Sequence, residues 1–158
     1  MKKILSLGPL QRVRETLRKQ GKRVVFTNGT FDILHRGHVE YLTRARELGN
    51  VLIVGLNTDA SIRRIKGKGR PINREADRAV VLAALSCVDY VSLFGEDTPH
   101  RMISRLHPDV LVKGADWNIK DVVGREIVER DGGVVKTIRL TPGRSTTNII
   151  KRIQQGNQ

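Results

Sequence analysis

Two histidines, His35 and His38, stand three residues apart in the stretch Thr27-Asn28-Gly29-Thr30-Phe31-Asp32-Ile33-Leu34-His35-Arg36-Gly37-His38. An imidazole can donate a hydrogen bond to charge that develops on a phosphoryl group, and two at this spacing would act at one place. Gly29 and Gly37 allow the backbone to approach a ligand closely. The stretch follows an apolar run, Val24-Val25-Phe26, and precedes a segment of helical character. Backbone N–H groups and the helix dipole favour an anion at such a junction. Chance or metal ligation could also place two histidines here. A zinc site needs a third and a fourth ligand, and a single cysteine with the scattered His100 and His107 offers no obvious cluster. No Gly-x-Gly-x-x-Gly follows the apolar run and no Gly-Lys-Ser/Thr loop occurs, so dinucleotide-binding and Walker-type sites lose support.

The elements that must hold this stretch follow from patterning. Leu10, Val13 and Leu17 recur at helical spacing, which predicts an amphipathic first helix ending near Gly21. Arg23–Asn28, Val51–Leu56, Tyr90–Phe94, Val110–Lys113 and Val134–Ile138 read as strands. Between them, helices are expected over 38–48, from Glu75 to Cys87, after Thr98-Pro99, over 121–131, and from Ser145-Thr146-Thr147 to about Gln154. The strands are continuous apolar runs, not polar–apolar alternations. That combination means a parallel sheet covered on both faces, so the expected fold is a single doubly wound, Rossmann-like α/β domain of about five strands. Residues 1–22 are expected to form an N-terminal helix and 23–155 the core. No internal repeat or low-complexity tract is present.

The chain has 158 residues, a formal net charge of +13 and one cysteine, Cys87. A disulfide within the chain is excluded, and Cys87, in an apolar stretch, is expected to be a buried structural thiol. No apolar run is long enough to span a bilayer, and Gly8-Pro9 breaks the short one near the N-terminus. A cytoplasmic protein is expected. The positive field draws polyanions such as nucleotides and sugar phosphates. Seven basic residues lie between Arg63 and Arg78, with Gly67, Gly69 and Pro71 among them, which reads as a mobile basic loop.

With Asn28-Gly29-Thr30-Phe31-Asp32 and His35-Arg36-Gly37-His38 in place, the chain resembles the HxGH cytidylyltransferase-like nucleotidyltransferases. Gly55-Leu56-Asn57-Thr58-Asp59, Arg70-Pro71-Ile72-Asn73, Val112-Lys113-Gly114-Ala115-Asp116-Trp117 and Ser145-Thr146-Thr147-Asn148 extend the likeness from about Val24 to Ile153. Arg70-Pro71-x-Asn73 with Val112-Lys113-Gly114-x-Asp116 resembles the branch that adenylylates D-glycero-β-D-manno-heptose 1-phosphate. The resemblance implies transfer of AMP from ATP to a sugar 1-phosphate with release of pyrophosphate, and magnesium on the triphosphate. It implies catalytic roles for His35, His38 and Lys113. It implies nucleotide contacts from Thr27, Asn28, Gly29, Thr30 and Phe31, from Gly37 and Arg70, and from Ser145, Thr146 and Thr147. Asp32, Asn57, Asp59, Gly114 and Asp116 would face the acceptor. Trp117 could pack at the sheet edge or stack on a ligand. His100 and His107 are expected at the surface.

Two departures from the family bear on the acceptor. Glycerol-phosphate and choline-phosphate cytidylyltransferases tend to carry a lysine where this chain has Glu40 and an arginine where it has Leu140. The resemblance also allows a homodimer. The heptose enzyme is fused in many bacteria to a sugar kinase, for which 158 residues leave no room, so a separate kinase is expected. A cytidylyltransferase acting on glycerol 3-phosphate or another polyol phosphate is the sister alternative, because the base is not legible from spacing. A nucleic-acid-binding module is the alternative of a different class. Aromatic content of 4% and the lack of a helix-turn-helix or RNA-recognition motif argue against it.

Overall fold

The computed structural model describes residues 2–156. Five parallel strands form one sheet in the order β3-β2-β1-β4-β5. They are β1 (Val24–Gly29), β2 (Val51–Asn57), β3 (Tyr90–Phe94), β4 (Val110–Gly114) and β5 (Val134–Ile138). The helices are α1 (Leu7–Lys19), α2 (Arg36–Arg46), α3 (Asp59–Lys66), α4 (Glu75–Ala84), α5 (His100–Leu106), α6 (Arg125–Arg130) and α7 (Thr146–Gln154).

Strand side chains alternate between two apolar layers. Val25, Leu52, Val54 and Val112 join Tyr41, Leu42 and Ala45 of α2 and Leu82 of α4 on one face. Phe26, Ile53 and Leu111 join Leu10 of α1, Ile103 of α5 and Val128 of α6 on the other. Each fully buried aliphatic side chain stabilises the fold by about 1.5–3 kcal/mol, and both faces must be covered for the sheet to persist. Chain order reverses direction at β1, between β2 and β4. The carboxyl ends of β1 and β4 therefore open into a crevice, where open α/β sheets bind ligands.

The N-terminal segment is built into this sheet. Leu10 is fully buried, Ile4 pairs with Val91, and Arg14 holds Asp109 at 2.9 Å. Three elements differ from expectation. Residues 59–66, of which 63–66 are expected to belong to the basic loop, form α3. The Thr58 side chain caps it by accepting from the Ser61 amide at 3.3 Å, and only Ser61 and Ile62 are buried, too few for a helical apolar period to show. The helix from Glu75 stops at Ala84 because Leu85 turns extended, with ψ 134°. The helix expected over 121–131 is a 3-10 turn, Ile119–Asp121, and then α6. Gly124, in the left-handed region at φ 84°, separates the two and faces Ile103, where a Cβ has no room.

Candidate active site

The loop from β1 to α2 carries the histidines, and its shape is fixed from below. Phe31, 5% exposed, adopts a left-handed φ of 41°, a conformation that persists only where its surroundings enforce it. The next residue supplies the enforcement. The Asp32 carboxylate accepts from the amides of Ile72 and Asn73 at 2.8 and 3.0 Å and from Arg70 Nε at 2.7 Å, while Asn73 Nδ2 donates to the Asp32 carbonyl at 2.7 Å. Arg78, 2% exposed, donates to the carbonyls of Thr30 and Asn73 and to Asp59, at 2.7, 3.0 and 2.7 Å. The loop is therefore locked to the segment between α3 and α4.

His35 is the extended N-cap residue of α2. Its ring stacks on that of His38, with 3.8 Å between centroids and 19° between planes. Phe31 meets His38 edge-on at 5.2 Å. The Nδ1 atoms of both histidines are buried and have no partner among the described residues. Burial pushes His38 down to about 4, helped by the positive charges of His35 and Lys66. Burial, then Arg144, lowers His35. Both rings are neutral near pH 7, each with one N–H to donate. A bound polyphosphate would favour the protonated form and draw both values up.

These groups face a cleft of ≈ 450 Å³ at the carboxyl ends of the strands. Asn28, Gly29, Thr30 and Phe31 enter it from β1 and its loop, and His35, Gly37 and His38 from α2. Asn57 ends β2 there, and Lys113, Gly114 and Asp116 follow from β4. Ser145, Thr146 and Thr147 present the start of α7, where Ser145 caps the Asn148 amide at 3.1 Å. Helix N-termini from α2 and α7 thus meet one cavity. Lys113 is 9% exposed, donates to Asn28 Oδ1, and lies 5.5 Å over the Trp117 ring. Burial pushes its ammonium down to about 8, with Asp116 opposing. Trp117 is half exposed and lines the cleft, so it does not close the sheet edge.

Four expected site residues lie outside the cleft lining. Thr27 is buried beneath it, 2.8 Å from the Tyr41 hydroxyl. Asp32 and Arg70 bind each other, and Asp59 pairs with Arg78, so these charges already have partners inside the protein. Arg70 and Arg78 thereby leave the expected mobile loop, as Arg63, Arg64 and Lys66 do by lying on α3.

Further residues line the cleft without having stood out in the sequence. Lys66, at the end of α3, reaches Thr30 Oγ1 at 3.2 Å, but in the chain it is one basic residue among many. Arg144 stands against Gly37 and His35. A cation directly before the Ser145-Thr146-Thr147 helix start is the signal that points to it. Tyr41, one turn beyond His38 on α2, looks in the chain like any core aromatic, and Leu140 and Thr141 like loop. Glu40 is a tether here: it accepts from Arg36 at 2.5 Å and from Thr141, holding the approach to α7 over α2. His100 and His107 are exposed, and Cys87 is half-buried beside the core.

Lys66, Lys113 and Arg144 supply three cations to the lining against one carboxylate, Asp116. The fold and cleft define a doubly wound α/β domain with a cation-lined cleft at its switch point. Residues 26–152 match the cytidylyltransferase-like family, and the chain belongs to it. It is 56% identical over 151 residues to bifunctional protein HldE of Citrifermentans bemidjiense, covering 96% of this chain and 31% of that protein. To bifunctional protein HldE of Syntrophotalea carbinolica it is 59% identical over 144 residues, covering 91% and 29%. The chain thus spans less than a third of these relatives' length. The crystal structure of the lipopolysaccharide core biosynthesis protein from Thermoplasma volcanium superposes with a TM-score of 0.63 and 31% identity, over 77% of this chain and 98% of that one. A protein from Archaeoglobus fulgidus, at 18% identity and a TM-score of 0.58 over 78% of this chain and 93% of that one, shares the fold. No helix among the described residues is long and apolar enough to cross a membrane.

Proposed function

We propose that this domain transfers AMP from ATP to a heptose 1-phosphate, releasing pyrophosphate and forming an ADP-heptose. The observation that carries the proposal is the stacked His35–His38 pair at the start of α2, in a cleft with three lysine and arginine side chains and a single carboxylate. Similarity above 50% to HldE proteins supports the heptose branch over the glycerol-phosphate one, as does Glu40 serving as a tether where those cytidylyltransferases carry lysine.

In the reaction, an oxygen of the acceptor phosphate attacks the α-phosphorus of ATP in line. The bond from that phosphorus to the bridging oxygen breaks, and pyrophosphate leaves with the electron pair. Such a transfer needs no covalent enzyme intermediate, so the protein's work is alignment and charge stabilisation. The neutral rings of His35 and His38 donate N–H bonds to the α-phosphate region as negative charge grows there. Lys113, fixed by Asn28, and Arg144 neutralise phosphate oxygens, while Lys66 approaches from α3. The amides at the starts of α2 and α7 add fixed positive dipole ends.

Magnesium belongs to this proposal with ATP. No three His, Cys, Asp or Glu side chains gather among the described residues, and Asp116 is the one carboxylate in the lining, which suits an ion held chiefly by phosphate oxygens and water. It would supply further charge neutralisation on the triphosphate. A sugar-phosphorylating reaction must provide the acceptor.

A matrix of ATP, CTP, GTP and UTP against heptose 1-phosphate, glycerol 3-phosphate and other sugar 1-phosphates tests the assignment, with pyrophosphate release as the readout. Release with ATP and heptose 1-phosphate is expected. Release confined to CTP with glycerol 3-phosphate would overturn the substrate assignment, and none in any combination would overturn the activity.

A further inference from the structure

A second cleft, of ≈ 630 Å³, lies at the other end of the sheet, where the strands begin. Its lining comes from the last turns of α1, the turn before β1, the turn before β4 and the turn before β5. None of it takes part in the proposed catalysis.

Its charges are unevenly satisfied. Arg14, 6% exposed, forms part of the lining. Its Nε and Nη2 donate to the carbonyls of Leu106 and His107 and to Asp109, but its Nη1 has no partner among the described residues. Arg18, Lys22 and Arg23 stand around it, exposed, with no ion pair among the described residues. The two carboxylates of the lining are already engaged. Asp109 is held by Arg14 at 2.9 Å and by the Val24 amide at 2.7 Å, and Asp131 by His107 and Arg130. Cations gather near helix C-termini because the dipole favours them there. That accounts for Arg18 in the last turn of α1, but Lys22 and Arg23 lie beyond the helix and Arg14 before its end.

A phosphate group entering the cavity would meet Arg18, Lys22 and Arg23, exposed cations with no carboxylate left to compete for them, in a space the size of an ordinary small-ligand site. Gly21 and Gly132 border it with open space at their Cα atoms, which lets a ligand meet the backbone. His107 is its one aromatic ring, so a stacking platform for single-stranded nucleic acid is missing.

We infer that this cleft is a second anion site, remote from the catalytic one, which binds the phosphoryl or pyrophosphoryl group of a small phosphorylated molecule. Binding there is independent of the proposed activity.

The test is an amide NMR titration with inorganic pyrophosphate, which reads the two clefts separately. Saturable shifts are expected at Lys22, Arg23, Gly132 and Gly133, apart from any at Gly29, Thr30 or Thr146. Replacing Arg18, Lys22 and Arg23 together by Gln changes only exposed side chains. This variant is expected to bind about tenfold more weakly, or worse, at the second cleft and to keep its catalytic-cleft shifts. The inference is overturned if pyrophosphate produces no saturable shift there, if sodium chloride at equal ionic strength reproduces the shifts, or if the triple variant binds unchanged. It is equally overturned if a single-stranded RNA of about twelve nucleotides moves these amides and pyrophosphate does not.

Discussion

Asp32 and Arg70, 38 positions apart in the chain, are joined by a 2.7 Å ion pair in which the carboxylate side chain is wholly shielded from solvent. The family resemblance would place one at the acceptor and the other at a phosphate. The structure instead turns them towards each other, beneath the loop that presents the histidines. Burial raises the Asp32 pKa, but the Asn73 and Ile72 amides and Arg70 outweigh it, so the carboxyl titrates below its ordinary value and stays charged.

Removing that carboxylate leaves a half-buried guanidinium and two amides without their acceptor. Asp32→Ala is expected to lower stability by about 3–5 kcal/mol, read by chemical denaturation. A loss under about 0.5 kcal/mol would mean that the pair does not anchor the loop.

Stability should respond to pH through the histidine pair. An unfolded histidine takes its proton near pH 6.5, whereas folded His38 does so at about 4. Between these values the unfolded chain holds more protons, so stability falls as pH drops from about 6.5 towards 4. His35 acts in the same direction. Denaturation curves across this range check the slope, and His38→Gln should flatten it. An NMR titration placing His38 near 6.5 would contradict it.

Lys113 is expected to act as a cation. With its ammonium near 8, kcat/KM should decline as pH rises through about 8 and the proton is lost. Lys113→Met should cost roughly a hundredfold or more in rate, the scale of one lost transition-state donor. A flat profile from pH 7 to 9 would remove Lys113 from the chemistry.

Gly37→Ala separates activity from stability. Its new Cβ would stand 3.1 Å from the His35 ring and from Arg144 Cβ, so both must shift by a few tenths of an ångström. Alanine is the better helix former. The expected result is an unchanged or slightly raised Tm with transfer reduced about tenfold, because small misplacements of aligned groups are expensive in rate. Undiminished activity would show that the placement of His35 and Arg144 about Gly37 is not needed.

Much of this site is legible in the chain. The strand Val24–Gly29, its glycine and the paired histidines mark out the strand–helix junction that lines the cleft without any structure, because those features act locally. The five strands are readable because both faces of the sheet demand apolar side chains. What stays hidden depends on pairing at long range. Nothing local distinguishes Arg70 and Arg78, held by Asp32 and Asp59, from Lys66, which reaches the cleft. Asp32 and Asp59, expected to face the acceptor, belong to the scaffold for the same reason. The helix α3 leaves no pattern because it buries almost nothing. Arg144 is a lone cation in a loop until the fold brings α7 up against Gly37 and His35.

In the proposed reaction the stacked His35–His38 pair is where nucleotidyl transfer is stabilised. The direct measurement is pyrophosphate release from ATP and heptose 1-phosphate by the unaltered chain, by His35→Ala and by His38→Ala. The expected result is release by the unaltered chain, with each substitution costing about 3–4 kcal/mol of transition-state stabilisation while the fold is retained. Variants whose rates stay within about twofold of the parent, about 0.4 kcal/mol, would contradict it.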